Sequence, residues 1–475
     1  ALVVVAVATT NVERRRCTAQ GGVLPFKTKF MKYSDYEIFR IPVGDDLGLH
    51  HSDDVSILYT PLCDHIALVD RKDEDAIRRY LEKEEVIQPE LKDWVDEMKA
   101  SVIPQTIDVP DISQTTKMSL LPNLTCNFAC SYCYSAQGRS STVISWEKAK
   151  VVLDYFINPD RIRPQHLSLF ISGGGEPLIS WDVTRKCIQY AVTRCREFGF
   201  TIHISVVTNG SLLNEQIVEF LHEYNCSVCI SFEVLPHLQE LQRRNYDLVN
   251  RNILLLHKFG VRVMLNSTIT PASVAYMQEM VRAVIERYPF VAQYTMEPVT
   301  SVELFETAEA LAAFYDTFYN EYLKAKQIAK TYSLPLRFTF DDSLRETTIR
   351  HCPGKFCVTP QGTISICHLV SSPKEPRYDH CIYGQIDETG VKIDYKRFKE
   401  LYSVNLFSYE RCQDCFAKFS CGGECMTRNT IYPASYMEQV CKFNRRFILH
   451  QLLERLEENV KQEYGLTLAE YVRAE

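Results

Sequence analysis

The sequence predicts an α/β fold: a parallel sheet of strand–helix units, preceded by a small α+β domain and followed by a cysteine-rich one. Three observations predict it. From Lys117 onward, short apolar segments alternate with amphipathic helical ones. Ahead of them, residues 32–100 hold a few alternating apolar–polar stretches and then two helical patterns. Behind them, cysteines return in force after residue 350.

The totals fit. A chain of 475 residues suggests two to four domains. A composition 46% hydrophobic and 24% charged is that of a globular protein with ample core. The formal charge of −7 argues against a nucleic-acid surface, which needs basic patches. Eighteen cysteines could form disulfides, but such frameworks belong to short secreted chains. Most of these cysteines fall in metal-type spacings, which implies a reducing cytoplasm.

Residues 1–16 run from the apolar stretch Ala1 to Ala8 into Arg14-Arg15-Arg16. A signal peptide has the reverse order, and the stretch is too short to span a membrane. The fold is expected to begin near Met31, with 1–31 an N-terminal extension. In the small domain, Tyr36–Ile41, Val55–Tyr59 and His65–Val69 alternate as half-buried strands do. Asp73–Glu82 and Lys92–Met98 read as helices, and Cys63 reads as core. Pro104 to Pro110 reads as a linker.

Strands are then expected at Met118–Leu121, Leu167–Ile171, His203–Val207, Ser227–Phe232, Arg262–Ile269 and Gln293–Glu297. Helices are expected between them at Trp146–Phe156, Trp181–Phe198, Glu215–Tyr224, Tyr246–Phe259 and Ser273–Arg287, with Gly260 as a C-terminal cap. Repetition of this unit implies parallel pairing and right-handed crossovers. A long helix is expected over Val302–Lys330.

The first strand runs into Cys126-Asn-Phe-Ala-Cys130-Ser-Tyr132-Cys133, a CxxxCxxC spacing. A short loop of this kind can hold three corners of a cubane iron–sulfur cluster and leave the fourth iron open to a small molecule. Electron-transfer clusters are usually closed by four cysteines. The competing reading is zinc or three buried thiols. Zinc sites usually show paired CxxC or CxxC with HxxxH, and no histidine lies near. The second strand runs into Ser172-Gly-Gly-Gly-Glu176-Pro177, where glycines allow close backbone approach to a ligand.

CxxxCxxC with an aromatic before its last cysteine resembles the radical SAM superfamily. The resemblance implies an open (β/α)6 barrel and a [4Fe–4S] cluster on Cys126, Cys130 and Cys133. S-adenosylmethionine (SAM) would chelate the open iron and be cleaved to a 5′-deoxyadenosyl radical that takes a hydrogen atom from substrate. It makes Gly174, Gly175, Glu176 and Pro177 the motif that holds the SAM amino group. It also places Thr208 and Asn209 where the family contacts the ribose, and it carries over Ser231. Many relatives read Ser-x-Asp-Gly at that strand end, so Glu233 and Val234 depart from the pattern. Arg243 or Arg244 would meet the SAM carboxylate. For Thr208, Asn209 and Ser231 the plain alternative is turn and cap chemistry.

Cys187 and Cys195 lie on one buried helical stripe. Cys226 and Cys229 form a CxxC, but it sits within a strand pattern. All four read as core.

After residue 350 come Cys352, Cys357 and Cys367, then Cys412, Cys415, Cys421 and Cys425 as CxxCxxxxxCxxxC, then Cys441. Zinc ribbons are the plain alternative. The pattern resembles the SPASM domain, the two-cluster extension of peptide-modifying radical SAM enzymes. That resemblance implies one auxiliary iron–sulfur cluster on Cys352, Cys357, Cys367 and Cys425, and a second on Cys412, Cys415, Cys421 and Cys441, both read as [4Fe–4S]. Cys357 is the least required by the pattern. Cys381 and Cys17 are spare, and Gly422 and Gly423 allow the turn between ligands.

The expected division is therefore 1–31 an extension, 32–112 the small α+β domain and candidate leader-peptide-binding module, 113–340 the barrel, 341–450 the auxiliary-cluster domain and 451–475 a C-terminal helix. The resemblance implies oxidative modification, such as cross-linking, of a ribosomally made precursor peptide, with flavodoxin or ferredoxin as electron donor. The alternative is an anaerobic sulfatase-maturating enzyme. Its relatives tend to carry Asp after the cysteine matching Cys367, where this chain has His368. A non-catalytic iron–sulfur or zinc protein is the reading from another class, and the open corner together with Gly174–Pro177 speaks against it. No residue is marked as acid, base or radical relay; His368, Glu233 and Tyr134 are candidates by position alone.

Overall fold

The computed structural model describes residues 4–6, 31–33, 36–43, 47, 55–63, 65–83, 85–100, 109–341, 343–344 and 347–474. Most of the expected N-terminal extension, Cys17 and the linker up to residue 108 lie outside the described residues. Contacts divide the chain into two compact units. One joins Ala1–Ile107, Thr339–Cys352 and Val404–Glu475, and the other joins Asp108–Phe338 and Pro353–Ser403.

The first unit is built on an antiparallel sheet of β1 (Val4–Ala6), β2 (Met31–Lys32), β3 (Phe39–Pro42), β4 (Val55–Thr60) and β5 (His65–Asp70), in the order β1-β5-β4-β3-β2. The sequence suggested strands with one solvated face, but β4 and most of β5 are buried on both. Val55, Ile57, Tyr59, Ile66 and Leu68 face helix Ala434–Tyr464, meeting Ile448, Leu452 and Leu456. Leu58, Ala67 and Val69 face helices Arg71–Lys83 and Pro89–Lys99, meeting Ile77, Leu91 and Val95. Successive strand residues point to opposite faces, so each β4–β5 residue serves one of two cores. The second cover comes from the far end of the chain, which local alternation cannot reveal. The terminal helix expected over 451–475 starts earlier, after Pro433, and ends where Gly465 turns left-handed at φ +72°. A second helix, Leu468–Ala474, follows.

The second unit carries β6 (Lys117–Leu120), β7 (His166–Ile171), β8 (Thr201–Thr208), β9 (Ser227–Ser231), β10 (Arg262–Ile269), β11 (Gln293–Pro298) and the short β12 (Leu336–Arg337), each parallel to the next. Helices Trp146–Phe156, Trp181–Phe198, Glu215–Glu223, Tyr246–Lys258 and Met277–Arg287 form the crossovers. This is the expected six-unit partial barrel. Two of these helices begin at a side-chain cap: Ser145 accepts from the Lys148 N–H and Asn214 from the Ile217 N–H. The long helix runs Ala308–Thr331, later than expected, because Thr307 caps the Ala310 N–H and a short 3-10 turn takes Val302–Leu304.

Beyond β6 the sheet continues through β13 (Cys357–Val358), parallel to β6, and then antiparallel through β14 (Thr363–Ser365), β15 (Ile382–Asp387) and β16 (Gly390–Ile393). Part of the region holding the later cysteines thus extends the barrel sheet. Among the described residues no helix is long and apolar enough to cross a membrane.

Candidate active site and cysteine centres

Parallel barrels place their chemistry at the C-terminal strand ends, and the loops after β6, β7, β8 and β9 meet there. The loop after β6 and the glycine turn after β7 are stitched by their backbones. Gly175 N donates to Asn123 O at 3.0 Å, and Glu176 N to Thr125 O at 2.8 Å. Asn123, wholly buried, donates from Nδ2 to Glu176 O at 2.9 Å and to Ser180 Oγ at 2.6 Å. A Cβ on Gly175 would stand 2.0 Å from Thr125 O, and one on Gly174 2.7 Å from Asn123 O. Glycine is required there by contact as well as by the φ of +69° at Gly174.

Each sulfur of the CxxxCxxC loop faces a nitrogen donor. Phe128 N lies 3.4 Å from Cys126 Sγ, Arg139 Nη2 3.4 Å from Cys133 Sγ, and Arg243 Nη1 3.7 Å from Cys130 Sγ. Burial pushes the thiols of Cys126 and Cys130 above their ordinary pKa, while Arg139 and Arg243 respectively pull them back. Such donors suit thiolate sulfur, the form that binds metal. Among the described residues no three His, Cys, Asp or Glu side chains close around a single ion. A cubane gives each thiolate its own iron and needs no such convergence. Three thiols, each facing a nitrogen donor, fit three corners of a [4Fe–4S] cluster.

Glu176 is 2% exposed and both its oxygens are engaged. Oε1 accepts from Thr208 Oγ1 at 2.6 Å and from Leu178 N at 3.1 Å; Oε2 accepts from Asn209 N at 2.7 Å. Burial raises its pKa, and these three donors oppose the rise. Glu176 thus ties the β7 turn to the end of β8. Asn209 in turn donates to Asn127 Oδ1 at 3.0 Å, within the cysteine loop. Gly174, Gly175, Glu176, Pro177, Thr208 and Asn209 are brought together with that loop. Ser231 ends β9, paired in register with Asn266 of β10.

Arg243 is held where sequence reasoning did not anticipate. Its Nε donates to Glu233 Oε1 at 2.8 Å, and its guanidinium carbon lies 5.2 Å from the centre of the Tyr132 ring. Tyr132 Oη also donates to Glu233 Oε1. Arg244, the adjacent candidate, is exposed with a φ of +72°. The departure of Glu233 from the familiar strand-end pattern was the one sequence signal for this cluster. Nothing in the sequence singled out Asn123, Asn127 or Arg139.

The later cysteines are distributed between the two units. In the first unit, Cys412, Cys415, Cys421 and Cys441 line one small cavity with Arg411, Lys418 and Arg445. Burial pushes the Cys412 thiol up to about 12. Asn444 Nδ2 stands 3.6 Å from Cys421 Sγ. Cys425 does not belong to that lining, although its sequence motif groups it with Cys412, Cys415 and Cys421. Cys352 lines a second small cavity with Arg350, Tyr409, Gly422 and Glu424. A Cβ on Gly422 would lie 2.3 Å from His351 N, so the chain passes there only as glycine. In the second unit, Cys357 lies within β13 opposite Ser365, whose hydroxyl donates to Cys367 O at 2.8 Å. Lys355 Nζ lies 2.6 Å from His368 Nδ1, and burial followed by that charge lowers the His368 pKa to about 3. Cys187, Cys195 and Cys226 are buried in the core, and Cys63 packs beside the small-domain core.

The radical SAM superfamily model matches residues 121–284. The uncharacterized protein MJ0907 of Methanocaldococcus jannaschii is 25% identical over 169 residues, 34% of this chain and 55% of that protein's length. The radical SAM cyclopropyl synthase TigE of Paramaledivibacter caminithermalis is 19% identical over 449 residues, 85% of this chain and 88% of TigE. A serine-type anaerobic sulfatase-maturating enzyme of Klebsiella aerogenes is 22% identical over 320 residues, 63% of this chain and 76% of that enzyme. Among solved structures, native anSMEcpe with bound AdoMet superposes with a TM-score of 0.56 at 16% identity, covering 72% of this chain and 99% of that one.

Proposed function

We propose, from the premise that this chain is an enzyme with a radical SAM domain, that it is a maturase acting oxidatively on a ribosomally made precursor peptide. The domain's cofactors are a [4Fe–4S] cluster and SAM. Cys126, Cys130 and Cys133 would hold the cluster. Gly174–Pro177, Thr208, Asn209, Ser231 and Arg243 would contact SAM. When bound, the pair supplies reductive cleavage of SAM and with it hydrogen-atom abstraction from substrate.

The protein's part is positioning. Glu176 fixes the glycine turn against the β8 end, where Asn209 Nδ2 stands 4.0 Å from Cys126 Sγ. Glycine at 174 and 175 keeps side-chain bulk out of the approach. Arg139 and Arg243 place positive charge at the sulfurs.

Removal of a hydrogen atom leaves an electron to be disposed of when the product is oxidised. Cys412, Cys415, Cys421 and Cys441 would hold one auxiliary cluster, and Cys352, Cys357, Cys367 and Cys425 the other, giving that electron an acceptor. The observation that carries the peptide-maturase reading is that one compact unit contains both the N-terminal sheet and the four-cysteine cavity. An extended leader peptide would add as a strand to an edge of that sheet. The match to TigE over most of both chains adds support. An electron donor such as a flavodoxin or ferredoxin would supply the reducing electron.

The test is incubation of the cluster-loaded enzyme with SAM, reductant and candidate precursor peptides, followed by intact mass. A loss of two hydrogens or another discrete change supports the reading. Production of 5′-deoxyadenosine with every precursor unchanged would sink it. The second reading, sulfatase maturation, is favoured by the similarity to the Klebsiella aerogenes enzyme. Formylglycine formation on a sulfatase peptide would put it first.

A further inference from the structure

Glu233 is fully buried, yet only one of its oxygens is used. Oε1 receives both Arg243 Nε and the Tyr132 hydroxyl, while Oε2 has no hydrogen-bond partner among the described residues. A structural Arg–carboxylate pair usually closes as a bidentate fork, two nitrogens on two oxygens. Here the fork is split. Nε goes to the carboxylate at 2.8 Å and Nη1 to Cys130 Sγ at 3.7 Å. The guanidinium is a bridge between Glu233 and a cysteine sulfur, steadied by the Tyr132 ring.

The backbone that presents Glu233 is strained to do so. Val234 sits at φ +63°, where a β-branched residue is an outlier, inside a tight turn closed by Leu235 N to Glu233 O at 2.6 Å. Gln239, wholly buried, locks the turn by accepting from Glu233 N at 3.0 Å. Strain of this kind is costly and persists only where its surroundings hold it. A buried carboxylate with an unpaired oxygen adds to that cost.

We propose that Glu233 is a positioning residue that fixes Arg243 against Cys130, and that this charge pair sets the reduction potential of the cluster bound at Cys126, Cys130 and Cys133. The proposal rests on the assignment of those three cysteines as ligands. Donors and positive charge at cluster sulfurs favour the reduced state, and a nearby negative charge opposes it. Arg243 therefore pulls the potential up and Glu233 holds it down. The net field at Cys130 is that of a nearly neutral pair with one donor aimed at sulfur.

The test is a potentiometric titration of the cluster-loaded holoenzyme, read by the paramagnetic signal that changes when SAM is added, with iron assayed on each sample. Glu233→Gln is expected to raise the midpoint and Arg243→Gln to lower it, while the double variant returns toward wild type. Midpoints that stay put at full iron content, or that move in the same direction in both single variants, overturn the proposal. Should either variant fail to load iron, Tyr132→Phe keeps both charges and removes one donor from Glu233. It is expected to lower the midpoint, and an unmoved midpoint there overturns the proposal. Wild-type enzyme with no SAM-responsive signal would overturn the ligand assignment itself, which separates that failure from failure of the role of Glu233.

Discussion

Lys418 Nζ stands 2.6 Å from Glu37 Oε2, with the two side chains only 3% and 4% exposed. Lys32 Nζ takes the other oxygen of Glu37 at 2.9 Å. Lys418 opens the short helix Lys418–Cys421 between Cys415 and Cys421 and lines their cavity. Glu37 lies just before β3 of the N-terminal sheet. One buried ion pair thus ties the small-domain sheet to the four-cysteine cavity within a single compact unit.

Breaking that pair from one side is expected to cost much more than a surface pair would. Glu37→Ala leaves the Lys418 ammonium buried without its partner, a loss of about 3–5 kcal/mol for such sites. Denaturant unfolding of the holoenzyme, followed by a fluorescence change in the first unit, checks it. A loss below about 1 kcal/mol would be the behaviour of an exposed pair and would mean that water replaces Glu37.

Glu176→Gln is expected to weaken SAM binding by at least tenfold and to destabilise the barrel. A carboxylate can accept from Thr208 Oγ1, Leu178 N and Asn209 N together. The amide that replaces it must point an N–H at one of them, which strands a buried donor at about 1–3 kcal/mol. Isothermal titration of SAM into cluster-loaded protein reads the first effect. Unchanged affinity would mean that the turn keeps its shape without the carboxylate.

Much of this site is legible in the sequence because local rules govern it. The strand at Leu167–Ile171 and its glycine turn follow from period-two alternation and from the steric demand at Gly174 and Gly175. What is not legible is long-range. Val55, Ile57 and Tyr59 are covered by a helix that starts near residue 434, so β4 looks half-solvated in isolation. Arg243 reads as a candidate for an anionic ligand, and only the fold brings it to Glu233 and Cys130, ten residues back and across the barrel mouth. Asn123 carries no motif, yet it joins the cysteine loop to the glycine turn. The short strands β13 and β14 have too few residues for a periodic signal.

Gly175→Ala is expected to remove the SAM-site cluster selectively. The added methyl would fall 2.0 Å from Thr125 O, a backbone atom that cannot swing aside as a side chain would. The loop holding Cys126 must then retreat from the turn. Iron should drop by about four per chain, with 5′-deoxyadenosine production abolished. Full iron with SAM cleavage intact would show that the two loops tolerate separation.

The cavity lining sorts the later cysteines in a way that iron counting can check. Cys412, Cys415, Cys421 and Cys441 share one cavity, and Cys425 stands apart from it. Alanine at any of the four should disturb one cluster, and alanine at Cys425 the other. In a background of Cys441→Ala, adding Cys421→Ala should therefore cost little further iron, because both ligate the same cluster. Adding Cys425→Ala to that background should cost as much as it does alone, since independent sites add. Mössbauer spectra of the single variants would show which four-iron component is lost in each. If Cys425→Ala and Cys441→Ala deplete the same component, the two cysteines serve one cluster and the division drawn from the cavity is wrong. Zinc in place of iron at either site would instead make these cysteines structural and leave the substrate's electron without the acceptor that the peptide-maturase reading requires.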